Sequence, residues 1–573
     1  MSTTIFKIVI VVILSLPFSY CSSVCEATCP VDCDNTCVNG SGSVVCTNSS
    51  TLLTKLGDYH ATCPIKHLDL RTTQIGKFPS NVFSEFTALQ GLTLRANKIT
   101  AIPDNVFSAL RGLNKLNLRV QQISTLPVCM FFGLTSLETL VLKANQLNTF
   151  PDKLFVGLTS LKELNLKVKN ITTLTSNMFD GLTALETLNL DKNAITTIEP
   201  GAFSYFSSSL SILRLEGNPL QIYRDNTFEE LINLKKLYSD FFRLCCLVGK
   251  IEICKPKDVF SSCEDLLKKE VLGILMLVIG ILSVIGNVVV IVARRLRKDN
   301  SKNEFNKVQN ILITNLAVSD LLMAVYLIII SSADIHYRGR YSEVARVWKN
   351  SFVCSFAGAI STLSGECSVF TLMILSIDRA VNITNPFTTK RLNRTKCRII
   401  IGVGWLVWIV LSFLPVLNKL SFVNISYFGE NYYGKDSVCL ALPLTRSRWP
   451  GWEYAIGISI AFNGLGFIVI AVSYLTIFFS VKRLGATIKS IKRREEQIRR
   501  VRKCSLIVFT DFCCWFPIIL MGICSETETW RIPDEIYVWT ATFIITINST
   551  INPYLYTLFY MCTCTKSSMQ STL

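Results

Sequence analysis

The chain has 573 residues, of which 50% are hydrophobic, and it carries a formal net charge of +17. This length predicts several domains, and a mean hydropathy of +0.40 is typical of proteins with several membrane spans. The basic residues are concentrated, because 22 of the 58 Lys and Arg residues lie in three short segments, 294–307, 379–398 and 482–503. Each segment lies between apolar stretches, as the positive-inside rule predicts for cytoplasmic loops. The charge therefore argues against a nucleic-acid partner.

The N-terminus predicts a secretory signal over residues 1–23. Lys7 precedes an apolar run from Ile8 to Phe18, which is too short to span a bilayer and is followed by small residues. The next residues are therefore expected outside the cell, where disulfides persist. Six cysteines lie between Cys25 and Cys63, and we interpret residues 24–64 as a cysteine-rich cap on the domain that follows. A second group precedes the first membrane helix, namely Cys245, Cys246, Cys254 and Cys263.

Between the two cysteine groups the chain repeats itself every 24 or 25 residues. The units begin at Ile65, Leu89, Leu113, Leu137, Leu161, Leu185, Leu210 and Leu234. Each follows the pattern L-x-x-L-x-L-x-x-N-x-I/L, and a phenylalanine recurs later in the units, from Phe83 to Phe228. This pattern is the leucine-rich repeat, in which each unit contributes one strand and stacking buries a continuous core. We predict an α/β solenoid of about seven or eight units over residues 65–240.

An asparagine in each repeat normally satisfies backbone groups at the turn out of the strand. Here the position alternates, with Asn97, Asn145, Asn193 and Asn218 in some units and Thr73, Gln121 and Lys169 in the others.

Charged residues follow the third leucine of successive units and are expected to form one column on the concave strand face. They are Arg71, Arg95, Arg119, Lys143, Lys167, Asp191 and Glu216. Neighbouring strands lie about 4.8 Å apart, within the ~8 Å screening length of physiological salt, so the five cations should repel one another. Two interpretations remain open: a docking surface for an acidic protein or peptide, or a solvated face neutralised by acids such as Asp69 and Glu163.

Seven apolar stretches follow, at 271–293, 308–330, 352–378, 399–420, 453–480, 504–525 and 534–558. They predict an all-α bundle of seven transmembrane helices after the solenoid, with the basic loops inside the cell. Sequons on the expected extracellular side are Asn39, Asn48, Asn170 and Asn424, whereas Asn382, Asn393 and Asn548 are expected to carry no glycan. Polar residues within spans indicate either function or contacts between helices. They include Asn287, Asp320, Glu366, Ser368, Asp511, Asn548, Ser549 and Asn552.

Short motifs in these spans resemble the helix signatures of rhodopsin-like G-protein-coupled receptors. They are Gly286-Asn287, Leu316–Asp320, Asp378-Arg379, Trp405, Cys514–Pro517 and Asn552–Tyr556. The resemblance implies a disulfide between Cys354 and Cys439. No enzymatic activity is predicted, because the sequence shows no nucleophile–base constellation and no phosphate-binding loop. The resemblance also implies coupling to a heterotrimeric G protein through Asp378, Arg379, Asp511, Trp515, Pro517, Asn552, Pro553 and Tyr556. A bound sodium ion is implied among Asp320, Ser368, Asn548, Ser549 and Asn552.

Other motifs are similar to leucine-rich-repeat receptors of the relaxin-family type, including Ser332–Tyr341, Trp348, Leu363–Val369 and Phe509–Phe512. The resemblance places a cysteine-containing hinge at 241–267, the helix bundle at 268–561 and a cytoplasmic tail at 562–573, with palmitoylation expected at Cys562 and Cys564. Receptors of that type present acidic residues to a basic hormone and begin with a low-density-lipoprotein-receptor class A module. The basic column and the lack of an acidic calcium cluster instead predict an acidic peptide or protein ligand. Two interpretations of the basic loop Lys482–Lys503 remain open: it suits the surface of an acidic protein or membrane lipid, or it only enforces the membrane topology.

Two other function classes share parts of this sequence pattern. An adhesion or capture receptor with weak or constitutive signalling needs only the repeats and an anchor, and it remains the alternative. A transporter is disfavoured because the spans show no inverted repeat. The three histidines are not at ligand spacing, so no metal site is predicted in the solenoid.

Overall fold

A computed structural model describes the following residues: 43–47, 65–71, 81–96, 99–144, 146–147, 150–248, 251–256, 258–296, 304–384, 392–419, 426–429, 431–440, 450–487, 510, 513–514, 516–524, 527, 533–544 and 546–555. The chain divides into two compact units, Met1–Lys257 and Asp258–Leu573. The boundary lies within the predicted hinge at 241–267, so the first part of that segment groups with the repeats and the rest with the helices.

The first unit contains a parallel sheet with one strand from each repeat. Its strands are β1 (Ser43–Thr47), β2 (His67–Arg71), β3 (Gly91–Ala96), β4 (Lys115–Val120), β5 (Thr139–Ala144), β6 (Glu163–Val168), β8 (Thr187–Asn189), β10 (Ile212–Arg214), β11 (Lys236–Tyr238) and β12 (Ile253–Lys255). They are hydrogen-bonded in this order. A second sheet pairs β7 (Thr173–Leu174) with β9 (Thr197–Ile198), and a 3₁₀ turn covers Ser204–Phe206. The predicted solenoid is confirmed.

The core follows from the alternation of side chains along each strand. In β4, Leu116 and Leu118 are buried, whereas Lys115, Asn117 and Arg119 lie on the opposite face. The repeated phenylalanines form a second buried layer, and neighbouring rings lie 5.7–6.3 Å apart. These pairs are Phe83–Phe107, Phe131–Phe155, Phe155–Phe179 and Phe203–Phe228.

The asparagine position behaves differently in the two kinds of repeat. The buried Asn193 donates to the carbonyls of Leu166 and Leu190 and accepts from the Val168 amide. Asn218 makes the equivalent bonds one unit later. Gln121 and Lys169, by contrast, are exposed. The asparagines therefore link successive turns, as expected, whereas the alternating residues face solvent.

The last repeat is followed by a compact closing element. Helix α1 (Asn226–Glu229) precedes β11, and α2 (Phe242–Leu247) follows it. A disulfide between Cys245 and Cys254 joins α2 to β12, which is the final strand of the sheet. The predicted C-terminal cysteine group thus includes a cap on the apolar end of the repeats.

The second unit is helical. It contains α3 (Glu270–Leu296), α4 (Glu304–Tyr337), α5 (Tyr341–Asn350), α6 (Phe352–Thr384), α7 (Arg394–Lys419), α8 (Trp452–Ile456), α9 (Asn463–Thr487) and α10 (Asp534–Trp539). A 3₁₀ turn covers Ser426–Phe428, and π-helical turns cover Gly457–Phe462 and Thr540–Ile544. Residues 516–524 and 546–555 are also helical.

The first five predicted spans correspond to helices that are long and apolar enough to cross a membrane. Their bounds are Glu270–Leu296, Lys307–Tyr337, Phe352–Thr384, Arg394–Asn418 and Trp452–Ser480. The fifth is interrupted by the π-helical turn, which the sequence reasoning did not foresee. The sixth and seventh predicted spans are described only in part.

Candidate functional site

The predicted basic column lies on the outward face of the repeat sheet. The strand register places Arg95 opposite Arg119, Arg119 opposite Lys143, and Lys143 opposite Lys167. All four are partly exposed, and none has an ion-pair partner within the described part of the chain. Arg71 belongs to β2, but its side chain lies outside the described residues.

The electrostatics of the column reflect this crowding. The pKa of Lys143 lies below its usual value, first because the amino group is partly desolvated and then because Arg119, Lys167 and Arg95 repel its charge. The Nε atoms of Arg95 and Arg119 are buried and donate no hydrogen bond to any of the described residues. Glu163, one of the acids expected to neutralise the column, is exposed and forms no ion pair with it among these residues.

The acidic end of the column has a different environment. Asp191 is only 7% exposed, and its carboxylate accepts from Arg214 at 2.6 Å and from the Glu216 amide at 2.8 Å. Arg214 also pairs with Glu216 at 2.9 Å and lies 4.5 Å from the centroid of the Tyr238 ring. The two acids predicted to contact ligand are therefore engaged by Arg214, which the sequence reasoning missed. The signal for it in the sequence is a cation at a strand position that is neutral in the five preceding units.

In the helical unit, residues 258–267, which we call the linker segment, are fixed to the ends of the helices. Phe260 is 0% exposed, and its ring centroid lies 5.1 Å from that of Tyr537. Leu266 and Leu267 are equally buried. The amides of Tyr341 and Ser342, at the start of α5, donate to carbonyls of the linker segment at Glu264 and Cys263.

Two buried acids anchor the linker segment at its ends. The Asp258 carboxylate pairs with Lys349 at 2.5 Å and accepts from the Ser437 amide at 3.0 Å. At the other end, the Leu267 amide donates to Asp334 at 2.8 Å, and Arg338 lies 3.3 Å from the second oxygen of that carboxylate. Asp334 and Arg338 belong to a motif that resembles the relaxin-family type, but their residue types alone do not predict these contacts.

Residues 431–440, which follow α7 in the chain, are held against the same region. A disulfide joins Cys354 to Cys439, the pair that the resemblance implies. The Trp348 indole donates to the Ser437 carbonyl at 2.7 Å. The pKa of Asp436 is raised to about 7, first by burial and then by the nearby Asp258, although Lys349 acts in the opposite direction.

Polar residues inside the bundle connect α3, the first span, to the seventh predicted span (534–558). Asn287 donates to the Ser549 carbonyl at 3.0 Å, and Ser283 donates to the same oxygen at 3.1 Å. Gly286 allows this approach, because a Cβ atom added there would lie 2.8 Å from Cγ of Pro553. Elsewhere in the bundle, Asn463 donates to the buried Glu366 at 3.1 Å. Asn463 was not recognised from the sequence.

The predicted sodium-site residues include a contact between helices, since Asn552 donates to Asp320 at 3.1 Å. Asp320, Ser368, Asn548, Ser549 and Asn552 are all buried. The Ser368 hydroxyl and the side-chain amide oxygen of Asn552 are buried and have no hydrogen-bond partner among the described residues. A carboxylate with hydroxyl and amide oxygens is a suitable donor set for a hard cation, so these residues fit the implied ion.

The predicted coupling residues are described incompletely. Asp378 and Arg379 are buried at the end of α6, and Asn382 donates to the Asp378 carboxylate at 2.9 Å. The side-chain amide of Asn382, whose sequon is expected to carry no glycan, is therefore engaged in a hydrogen bond. Pro517 lies in the helix at 516–524, and Asn170 is exposed after β6. Asp511, Trp515, Tyr556, Cys562, Cys564, Asn39, Asn48, Asn424 and the side chains of 482–503 lie outside the described residues.

Comparison with known proteins shows where the chain matches established families. Residues 286–556 match the 7 transmembrane receptor (rhodopsin family), and three segments between 64 and 220 match the leucine rich repeat. A G-protein coupled receptor of Lymnaea stagnalis is 42% identical over 58% of this chain and 28% of its own length. Relaxin receptor 1 of Mus musculus is 32% identical over 57% of the chain and 42% of its own length.

The follicle-stimulating hormone receptor of Equus caballus is 26% identical over 62% of this chain and 48% of its own length. The chain thus spans less than half the length of each of these relatives. The matches confirm the predicted fold class and, since the family consists of receptors, that the chain is not an enzyme. The chain is a leucine-rich-repeat-containing receptor of the rhodopsin family, with its repeats outside the plasma membrane and its helices within it.

Proposed function

We propose that this receptor binds an acidic extracellular peptide or protein through its basic column and signals to a heterotrimeric G protein. The observation that carries the ligand class is the run of Arg95, Arg119, Lys143 and Lys167 on adjacent strands without ion pairs among the described residues. The pKa of Lys143 is lowered first by desolvation and then by repulsion from the other three cations, and an acidic ligand would relieve that repulsion. The relatives named for relaxin and follicle-stimulating hormone support a hormone-type ligand.

In the proposed mechanism, the ligand favours one of two arrangements of the helix bundle. Arg379 is buried beside Asp378, and outward movement of the sixth predicted span (504–525) would make it accessible to the G protein. Trp515 and Pro517 would provide the pivot, because proline removes a helical hydrogen bond and permits a kink. Asp320, Ser368 and Asn552 would hold a sodium ion that favours the inactive arrangement by compensating the buried carboxylate.

Coupling is tested by replacing Arg379 with alanine in the full-length receptor and measuring G-protein activation in cells by energy transfer. Loss of basal or peptide-induced activation at equal surface expression would support coupling. Lys396→Gln, which removes an exposed charge at the same membrane face, is the matched control. Absence of activation with every G-protein class would instead favour the adhesion or capture receptor.

The ligand face is tested by reversing the charge at one position of the column. Arg119→Glu is compared with Lys115→Glu, because both residues lie on β4 and only Arg119 belongs to the column. Binding of a fluorescent polyglutamate peptide to intact cells is expected to fall in Arg119→Glu and to weaken with salt. Equal binding by the two variants would contradict the assignment. The sodium ion is tested separately, since sodium should raise the thermal stability of the wild type but not of Asp320→Asn.

A further inference from the structure

A cavity of about 720 Å³ lies between the ends of α3, α4 and α7. Five cations and one indole line it, namely Arg294, Arg295, Lys307, Arg394, Arg398 and Trp405. The two arginines of α3 are in its last turn, Lys307 is near the beginning of α4, and the other two arginines are in the first turns of α7. The topology of the family places all of these helix ends at the cytoplasmic face.

The charge of the cavity is one-sided. None of its lining residues is acidic. Arg294 is oriented by a hydrogen bond of 2.5 Å to the side chain of Asn310, which also lines the cavity. Arg295 and Arg398 are exposed and have no ion pair among the described residues. Five converging cations form a much stronger anion site than a single basic residue that maintains topology, since each adds to the same local potential.

The cavity continues into an apolar surface. Ile401 and Gly402 line it one helical turn beyond Arg398, followed by Trp405, and a Cβ atom added at Gly402 would meet nothing within 4 Å. The Trp405 indole nitrogen is buried without a hydrogen-bond partner among the described residues. Ile399 and Val403, adjacent on α7, are 59% and 56% exposed, as expected of side chains that face lipid. A ligand that occupies this cavity therefore needs a charged head and an apolar tail.

We propose that the cavity binds a polyanionic phospholipid of the inner leaflet, of the phosphoinositide class. The phosphates lie among Arg294, Arg295 and Arg398, because the guanidinium group binds phosphate oxygens in a bidentate manner. An acyl chain lies along Gly402. Soluble inositol phosphates share the head chemistry but not the tail, and the continuity of the cationic and apolar surfaces favours the lipid.

The test uses the full chain in phosphatidylcholine nanodiscs that contain a minor fraction of phosphatidylinositol bisphosphate, with retained lipid measured by native mass spectrometry. Replacing both Arg295 and Arg398 with glutamine is expected to weaken retention about twenty-five-fold, since each cation near an anionic surface contributes about a fivefold effect. Gly402→Trp keeps every charge and fills the cavity, and it is also expected to reduce retention. Lys396→Gln removes an exposed cation of α7 outside the cavity and should retain the lipid.

Several results would overturn the proposal. Equal loss in Lys396→Gln and in the double variant would indicate general surface charge. Loss in Gly402→Trp alone would indicate an uncharged lipid such as a sterol. Displacement of the lipid by inositol trisphosphate at equal concentration would indicate a site for soluble phosphates. Thermal unfolding of each variant provides the check on folding, and the two perturbations change charge and shape independently.

Discussion

Replacing Asp334 with alanine is expected to loosen the linker segment at its attachment to the helices. The carboxylate is 1% exposed, and one of its oxygens accepts from the buried Leu267 amide at 2.8 Å. Alanine leaves that amide without an acceptor, which costs about 1–3 kcal/mol. The lost pair with Arg338 contributes little more, because Arg338 is partly exposed and retains Glu270 at 2.7 Å. The free energy of local opening should therefore fall by about 1–3 kcal/mol.

The assay is hydrogen exchange of the full receptor, followed by mass spectrometry of peptides that contain Leu267. A decrease of 1–3 kcal/mol corresponds to exchange about 5–150-fold faster at this amide. Asp334→Asn retains an acceptor oxygen and should show much of the wild-type protection. Asp265→Ala is the control, because its carboxylate accepts from the Gly339 amide at 3.2 Å in an exposed position where water can replace it. Unchanged exchange in Asp334→Ala, or equal acceleration in Asp265→Ala, would refute the reasoning.

Three further predictions concern other parts of the receptor. Asn193→Ala should lower the unfolding free energy of the repeats by about 1–3 kcal/mol, because it leaves buried backbone groups unpaired. In the same chemical denaturation experiment, Lys169→Ala should change this free energy little, because Lys169 is exposed. Gly286→Ala should lower the thermal midpoint of the bundle because its Cβ would overlap Pro553, whereas Gly402→Ala should not, and equal midpoints would contradict the close contact. The raised pKa of Asp436 means that its contribution to stability is present at low pH and is lost as pH rises through about 7. The wild type should therefore lose more thermal stability between pH 6 and pH 8 than Asp436→Asn, and identical losses would contradict the shift.

The repeats were predictable because their contacts are periodic. A residue such as Leu116 contacts its equivalents one unit away, so a constant spacing along the chain fixes both the strand register and the buried face. The same periodicity predicts that Arg95 and Arg119 lie side by side, as the strand register confirms. It did not reveal the environment of Asp191, because the neutralising Arg214 departs from the repeat rather than following it.

The helix bundle was predictable in its membrane spans but only partly in its contacts. Apolar length and basic loops place the first five helices, whereas the π-helical turn at Gly457–Phe462 leaves no comparable signature. Asn287 and Asp320 were identified as costly polar residues within spans. Their partners, Ser549 and Asn552, lie more than two hundred residues away along the chain, and no local pattern specifies such a pairing.

The attachment of the linker segment to the helices cannot be inferred from residue types alone, because backbone groups make many of its contacts. The amides of Tyr341, Ser342 and Leu267 all take part, and backbone groups are present whatever the side chain. Only three side chains of the attachment need a particular residue type. The carboxylates of Asp258 and Asp334 accept the hydrogen bonds, and the ring of Phe260 is buried. Substitutions at exposed positions of the linker segment should therefore be tolerated. Loss of either carboxylate, by contrast, leaves a buried backbone amide without a hydrogen-bond acceptor. The attachment of the linker segment thus depends on two acids that are separated by 76 residues in the sequence.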